Sequence, residues 1–134
     1  MVSRSLPPPT ASRIEALSDF LNWAGKLWPL LTILDEAPTR IARIFSADVA
    51  SIYVLEGDGT TLVMRGNVGF PASALGRVRL AVGEGLTGDA VARLQPIATV
   101  AAENQRKFRS FEALAEARFP VFLAVPLLAR GAPL

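Results

Sequence analysis

The sequence contains no cysteine and no histidine. Without cysteine there is no disulfide, no thiolate nucleophile, no cysteine-based zinc site and no cysteine-linked chromophore. Without histidine there is no Ser-His-Asp triad, no imidazole metal ligand and no phosphohistidine. The remaining catalytic types are carboxylate, lysine and tyrosine, and they do not cluster along the chain. The sequence therefore predicts a protein that is not an enzyme and that needs no metal and no cofactor.

Long apolar runs and a strong charge excess are also missing. No run approaches the roughly 18 residues of a membrane span, and the Pro-rich start lacks the apolar core of a signal peptide. Fourteen Lys and Arg against twelve Asp and Glu leave a net charge of +2. The densest basic cluster, Arg106, Lys107 and Arg109, is too short for a nucleic-acid interface. We expect a cytoplasmic protein that binds neither membranes nor nucleic acids.

The 134 residues, of which 51% are hydrophobic, suit one globular domain. We expect a disordered tail over residues 1–11 and a domain over 12–134. Apolar residues at spacings of three and four predict a helix over 12–28, capped by Ser12, with an apolar face long enough for a partner helix: Ile14, Leu17, Leu21, Ala24 and Trp28. Trp23 and Trp28 should face different sides, one in the core and one free for a partner. A second helix is expected over Leu30–Phe45, and Pro38 predicts a kink or a restart after Ala37.

The rest of the chain alternates short strands with helices. Val49–Leu55 and Thr61–Val68 should pair through the Gly57-Asp58-Gly59 turn. We next expect a helical turn at Pro71–Gly76, a strand at Val78–Val82, a helix at Leu86–Leu94 and an edge strand at Pro96–Val100. After a loop and helix within Asn104–Arg118, the apolar run Val121–Leu128 predicts a strand buried on both faces, and 129–132 a turn. This order predicts an α+β fold, an antiparallel sheet with helices on both faces.

An ordered series of short motifs resembles the GAF domain, a sensory fold of bacterial and eukaryotic signalling proteins. The series covers residues 30–134 and consists of Ala47–Leu55, the hairpin, Val82–Gly88, Pro96-Ile97, Asn104 with Phe108, and Val125–Leu127. It is most similar to the N-terminal GAF domain of the nitrogen-branch phosphoenolpyruvate-protein phosphotransferase. The resemblance implies a GAF-like (profilin-like) sheet and a regulatory, non-enzymatic role.

The sequence departs from that family in two ways. The phosphotransferase carries its chemistry on a histidine in a C-terminal portion that has no counterpart here, so no phosphoryl transfer is implied. GAF domains also continue past the Val-Pro-Leu turn into a central strand and a final helix, which are missing from this sequence. We therefore expect the edges of the first and fourth strands to lack partners, so that the chain is a fragment that dimerises or rearranges its sheet.

GAF domains bind ligands between the sheet and the loops that cover one of its faces. The resemblance places the candidate ligand-binding residues of this chain at Arg65, Arg79, Gly85, Thr87, Gly88, Asn104, Lys107 and Phe108. The amides at Gly85–Gly88 open a helix and suit a carboxylate or phosphate. Most of these residues can also be explained without a ligand. The glycines and Thr87 would form a simple turn and the two arginines would face solvent. Asn104 would cap a turn, and Phe108 would pack its loop onto the core. No Asp-Glu pair follows Phe108, so cyclic-nucleotide binding is not supported.

Two functions remain open at this point. The first is a regulatory sensor that binds a small nitrogen-status metabolite, such as glutamine or 2-oxoglutarate, and acts as a homodimer or on a partner signalling protein. The second is an interaction or scaffold domain without a small-molecule ligand. Some GAF relatives reduce methionine sulfoxide, but that chemistry needs cysteines, which this chain lacks.

Overall fold

The computed structural model describes residues 10–100, 119 and 121–134, with three α-helices and seven strands in this part of the chain. The helices are α1 (Thr10–Ala24), α2 (Leu30–Phe45) and α3 (Gly85–Arg93). The strands are β1 (Ala50–Leu55), β2 (Thr61–Val68), β3 (Arg79–Ala81), β4 (Ile97–Thr99), β5 (Phe122–Ala124), β6 (Leu128–Ala129) and β7 (Ala132–Pro133). A short 3-10 turn at Ala72–Ala74 precedes β3. The predicted α+β class is confirmed.

The strands form three small sheets among the described residues: β1-β2-β3, β4-β5 and β6-β7. Pairing is antiparallel between β2 and β3, between β4 and β5, and between β6 and β7. The chain divides into two compact units. The helical unit comprises the residues up to Ile52 together with Gly66–Gly69, and the sheet unit comprises Tyr53–Arg65 and Phe70–Leu134.

Aromatic packing joins the end of α1 to the loop that follows it in the helical unit. The Trp23 ring is buried, and its centroid lies 5.8 Å from that of Phe20 and 6.3 Å from that of Trp28. The Trp28 Nε1–H donates a 2.8 Å hydrogen bond to the Trp23 carbonyl. The guanidinium of Arg40 on α2 stacks 4.5 Å above the Trp23 ring, a cation–π contact. Trp28 therefore packs on Trp23, and the prediction that the two tryptophans face different sides was wrong. Trp23 is the buried one of the pair, and Trp28 is 37% exposed.

Helix α1 is shifted relative to the predicted span of 12–28. It begins at Thr10, so Ser12 lies inside the helix and does not cap it. It ends at Ala24, where Lys26 N–H bonds back to the Trp23 carbonyl in a tighter turn. Trp28 fits the apolar spacing of a helix in the sequence, but it lies in the loop after α1 and packs against Trp23.

Helix α2 covers the predicted span Leu30–Phe45 and runs unbroken through Pro38. Of the two expected effects of Pro38, a kink or a restart after Ala37, the restart does not occur. Pro38 has no N–H and leaves the Leu34 carbonyl without its usual helical donor. Gly66 of β2 packs directly onto this carbonyl, and a Cβ at residue 66 would overlap the Leu34 oxygen. Pro38 itself is fully buried. Burial of the proline against a glycine accounts for a helix that local propensity alone does not favour.

In the sheet unit a small core forms on one face of β2. Met64, Ala74 and Val78 are buried together, and Tyr53 and Phe70 pack against them. The register pairs Leu62 with Leu80, and both side chains are buried. Because side chains alternate along a strand, Leu62 and Met64 share this face of β2.

The β1–β2 turn lies at the predicted Gly57-Asp58-Gly59 motif, and the Asp58 carboxylate holds it. Asp58 Oδ1 accepts 2.9 Å hydrogen bonds from the N–H groups of Thr60 and Thr61. Asp58 Oδ2 accepts a 2.7 Å bond from Thr61 Oγ1. These bonds, the one from Thr60 N–H first, favour the charged carboxylate and lower the pKa of Asp58 to about 2.

Replacing Asp58 by Ala is expected to destabilise the chain at neutral pH and to change its acid response. A lowered pKa means that the stabilisation is present above about pH 4 and is lost as the pH falls through 2. The difference in free energy of unfolding between parent and Asp58→Ala should therefore shrink between pH 4 and pH 2. Denaturant unfolding at several pH values measures it. Asp58→Asn keeps an acceptor but does not titrate, so it should fall between the two at pH 7. A pH-independent difference would contradict the assignment.

The apolar run that follows Phe119 differs most from its prediction. Strand β5 covers only Phe122–Ala124 of the predicted strand Val121–Leu128. Alternate side chains along the run are exposed, namely those of Val121, Leu123, Val125 and Leu127. β5 pairs only with β4 among the described residues, and no described element covers this row. The prediction that this strand is buried on both faces was therefore wrong. Burial on both faces requires other elements to pack against the strand, and the sequence of the strand does not specify them.

Leu134 connects the chain end to two other segments of the sheet unit. Its N–H donates a 3.0 Å hydrogen bond to the Leu127 carbonyl, and its carbonyl accepts a 3.1 Å bond from Leu55 N–H of β1. The expected turn at 129–132 is present, with Arg130 and Gly131 at φ of 54° and 81° between β6 and β7. The Leu134 carbonyl thus occupies one position on the edge of β1, which was expected to lack a partner.

Among residues 10–100, 119 and 121–134, no helix combines the length and apolar character needed to cross a membrane.

Candidate functional site

The candidate site is built around the turn that leads from β3 into α3. Gly83 and Gly85 have φ of +88° and +64°, a region that side chains with a Cβ rarely adopt. The turn is closed by hydrogen bonds from Glu84 N–H to the Ala81 carbonyl and from Gly83 N–H to the Gly88 carbonyl, at 2.9 and 2.8 Å. These bonds fix the direction in which α3 leaves the strand. The turn therefore requires glycine at both positions.

Gly88 lets the first turn of α3 approach the end of β3. A Cβ on Gly88 would overlap the Ala81 carbonyl oxygen and lie 3.1 Å from the Gly83 nitrogen. Leu86 and Ala90 are buried on the same helix, and Thr87 is half-buried. The start of α3 is therefore held rigidly against the strand.

Glu84, at the N-cap position of α3, makes no side-chain hydrogen bond to the first turn of the helix. The first amides of a helix lack internal acceptors and carry a partial positive charge, so they favour an anion. Glu84, the residue before the helix, instead turns its Oε2 to accept a 2.8 Å bond from Ala81 N–H. This carboxylate adds a negative charge beside the amides, so an incoming anion needs a further cation.

Arg79, the first residue of β3, is the candidate cation that lies nearest to this turn along the sequence. It is exposed, lies two residues before Ala81, and has no ion-pair partner in the described part of the chain. The register places it opposite Val63 of β2. Arg79 therefore remains available to a ligand carboxylate.

Arg65 lies on the same face as Arg79, because it is two residues beyond Val63. Its Nη2 is 2.7 Å from Glu56 Oε1, and both side chains are partly exposed. A cation already paired with a carboxylate has less to gain from a ligand. Of the two arginines, Arg79 is the better candidate.

Three of the predicted ligand-binding residues, Asn104, Lys107 and Phe108, lie outside the described residues, as does the predicted helix within Asn104–Arg118. The structure brings Gly85, Thr87 and Gly88 together at the start of α3 and places Arg79 on the strand that leads into it.

Sequence reasoning missed the two acidic groups of this region. Asp89 is buried on α3, and its Oδ2 is 2.9 Å from Arg93 Nε. The i,i+4 spacing of Asp89 and Arg93 was the available signal for that pair. Nothing in the sequence around Glu84 indicated that its carboxylate turns back onto Ala81.

The arrangement offers helix amides and an arginine for an anion. In the described residues there is no group of three or more His, Cys, Asp or Glu side chains able to hold a metal ion. No family model matches the sequence, and no curated protein does so either.

Solved structures, in contrast, match the fold over nearly the whole chain. The GAF domain of a phosphoenolpyruvate-protein phosphotransferase from Coxiella burnetii aligns with a TM-score of 0.83 at 21% identity, covering 94% of this chain and 75% of that one. The GAF domain of an Acinetobacter phosphoenolpyruvate-protein phosphotransferase gives 0.78 at 22% identity, over 92% of this chain and 72% of that one.

An enzyme is similar in fold as well. Free methionine-R-sulfoxide reductase from Neisseria meningitidis, solved with its substrate, aligns with a TM-score of 0.75 at 18% identity, over 96% of this chain and 72% of that one. These comparisons show that the chain has the GAF fold, as the motif series predicts. At these identities the fold is what the likeness establishes.

Proposed function

We propose that this chain, which has the GAF fold, is a non-enzymatic regulatory module of the cytoplasm that senses a small carboxylate metabolite of the glutamine or 2-oxoglutarate class. The observation that supports it most is the start of α3, where the N-cap residue makes no side-chain hydrogen bond to the first turn of the helix. The strand that leads into this helix carries Arg79, which has no ion-pair partner in the described part of the chain. The structural likeness to GAF domains of phosphoenolpyruvate-protein phosphotransferases supports the regulatory role.

Composition supports the non-enzymatic part of the proposal. Reduction of a sulfoxide needs a donor of two electrons, which a protein without a redox cofactor supplies through thiols. This chain has no cysteine, so the reductase activity of the Neisseria protein does not carry over.

The proposed ligand contacts follow from charge and position. A ligand carboxylate would accept hydrogen bonds from the amides at the start of α3, and Arg79 would offset the Glu84 carboxylate that lies nearby. An arginine binds a carboxylate through two parallel N–H···O bonds, which also orients the ligand. Thr87, half-buried at this helix start, would add a hydroxyl contact.

Arg79→Ala is expected to weaken binding roughly ten- to a hundred-fold, because a hydrogen bond to a charged group contributes about 1.5–3 kcal/mol. Isothermal titration calorimetry of the full chain with glutamine and with 2-oxoglutarate measures the affinity. The melting temperature should change little, since the side chain is exposed.

Arg65→Ala is the matched control. It removes an arginine from the same sheet face, but one that is already paired with Glu56, so its effect on affinity should be several-fold smaller. Equal losses in the two variants would show a general effect of charge and contradict the site. The absence of saturable binding by the parent chain would contradict the sensing function.

The alternative function is an interaction or scaffold domain without a small-molecule ligand. It is favoured by the row of exposed apolar side chains on and beside β5: Val121, Leu123, Val125 and Leu127. Rows of this kind are uncommon on surfaces that face only water. A chain that binds no metabolite but associates with itself or with a signalling partner would support this function.

A further inference from the structure

The connection between α1 and α2 presents a continuous run of exposed residues, 24–31, which we call the hairpin tip. Six of its eight residues are apolar. Leu27 is 103% exposed, Leu31 79%, Leu30 63% and Trp28 37%. Together these four side chains expose on the order of 500 Å², which is near the upper end of the apolar patches found on monomeric proteins. A contiguous patch of this size indicates a contact surface, whereas single exposed leucines do not.

The hairpin tip lies at one end of a pair of helices. Five residues connect α1, which ends at Ala24, to α2, which begins at Leu30. Helices joined by so short a connection are antiparallel neighbours, and α1 packs on α2. The exposure of Leu27 shows that its side chain touches almost nothing else in the helical unit. The tip is therefore a protruding apolar end and not the wall of a pocket.

Charge and polarity around the hairpin tip favour a lipid surface over a protein partner. Residues 20–34 include one charged residue, Lys26, and two further polar side chains, Asn22 and Thr32. Protein interfaces surround an apolar centre with a polar rim that supplies about ten hydrogen bonds. This stretch has few groups for such a rim. Insertion into a bilayer needs only apolar area, and a cation such as Lys26 adds attraction to anionic headgroups.

The indole of Trp28 is already arranged for an apolar environment. Tryptophan is enriched at membrane interfaces, where one end of the ring is apolar and the other polar. The Trp28 Nε1–H donates its 2.8 Å hydrogen bond to the Trp23 carbonyl within the chain. Contact with lipid therefore leaves no free indole donor without an acceptor, which would oppose insertion. Stacking on the buried Trp23 ring also holds Trp28 in place.

We propose that the hairpin tip inserts into the surface of an anionic lipid bilayer, with Leu27, Leu30 and Leu31 below the headgroups and Lys26 among them. Insertion is shallow, because the first amides of α2 have no internal acceptors and must stay within reach of headgroups or water. The expectation that the chain does not bind membranes depended on the absence of a spanning run. A tip that reaches only the interface needs no such run.

A second copy of the chain is a less suitable occupant. An apolar groove of the helical unit lies at the other end of the pair, between the N-terminal half of α1 and the end of α2. A tip seated in that groove would give a head-to-tail contact. Such a contact leaves another tip and another groove free, so it extends into an open chain of copies and does not close a dimer.

Flotation of the full chain with vesicles tests the proposal. Vesicles of phosphatidylglycerol and phosphatidylcholine should bind the chain more tightly than vesicles of phosphatidylcholine alone. Leu27→Glu should weaken binding by at least about ten-fold, because it replaces an inserted apolar side chain with a charge. Leu75→Glu is the matched control: it makes the same change at an exposed leucine outside the tip and should keep most of the affinity. Circular dichroism should show unchanged helicity in both variants.

Two further variants test the roles of Lys26 and Trp28. Lys26→Gln should weaken binding about five-fold on the anionic vesicles and leave binding to the neutral ones unchanged. Vesicles should shift the tryptophan emission of the parent to the blue, and Trp28→Phe should remove most of this shift while binding persists.

Failure of the parent to float with either kind of vesicle would overturn the proposal. Equal losses in Leu27→Glu and Leu75→Glu would do the same, because they would show a general effect of charge. Self-association without lipid that Leu27→Glu abolishes would assign the tip to a second copy instead. The proposal does not depend on the carboxylate site at α3.

Discussion

Gly66→Ala is expected to destabilise the chain by about 2–4 kcal/mol, the range of severe overpacking. The added methyl group would overlap the Leu34 carbonyl oxygen and lie 3.2 Å from the Pro38 ring. Both obstacles are stiff, because one is helix backbone and the other a buried proline. Relief therefore requires β2 to move away from α2. Thermal and urea unfolding of parent and variant measure the loss.

Gly57→Ala is the matched control for this substitution. It makes the same chemical change within the sheet region, but nothing lies within 4 Å of the new Cβ. Its free energy of unfolding should stay within about 0.5 kcal/mol of the parent. If the two variants melt together, Gly66 is not the contact that accommodates Pro38 inside α2.

Gly85→Val is expected to cost about 2–3 kcal/mol, because a β-branched residue at φ of +64° is strongly disfavoured. The effect comes from the backbone and not from crowding, and a graded series separates the two. Asn enters the left-handed region more readily than Ala although its side chain is larger. The order of stability should therefore be Gly, then Asn, then Ala, then Val.

A ranking by side-chain size, with Asn below Ala, would show that packing and not φ determines residue 85. The same series reports on the candidate site. Because Gly85 is the first residue of α3, a variant that folds but shifts this turn should also lose affinity for a carboxylate. Retained affinity in Gly85→Val would place the ligand elsewhere.

Much of the fold was predictable because local chemistry dictates it. The turn at Asp58 needs an acceptor for two successive amides, and Asp within Gly-Asp-Gly supplies it. Strand β2 matches its predicted span, Thr61–Val68, because alternating apolar residues follow that turn directly. At the candidate site, the sequence predicted a strand over Val78–Val82 followed by a helix over Leu86–Leu94, and Gly83 and Gly85 adopt positive φ at the turn between them.

Predictions failed where the outcome depended on distant partners. Pro38 predicts a kink or a restart when only its neighbours are considered, yet α2 is continuous. Gly66, almost thirty residues later, packs against the Leu34 carbonyl that Pro38 leaves without a helical donor. The run Val121–Leu128 looks fully buried by composition, yet five of its eight side chains are exposed because no described element lies over them. Arg65 and Arg79 were equivalent in sequence, and the Glu56 contact distinguishes them.

The sequence by itself determined which chemistry is absent and the order of the elements. A missing cysteine or histidine cannot be supplied by folding, and short-range apolar spacing selects helix or strand before any tertiary contact forms. Only the tertiary structure decided which faces of the described residues are exposed: the Ile14, Leu17 and Leu21 side chains of α1, the Arg79 side chain and the apolar row on and beside β5. Exposure is a property of what packs against a residue, and packing partners lie far apart in the chain. A sequence pattern therefore predicts that a face is apolar but not what covers it.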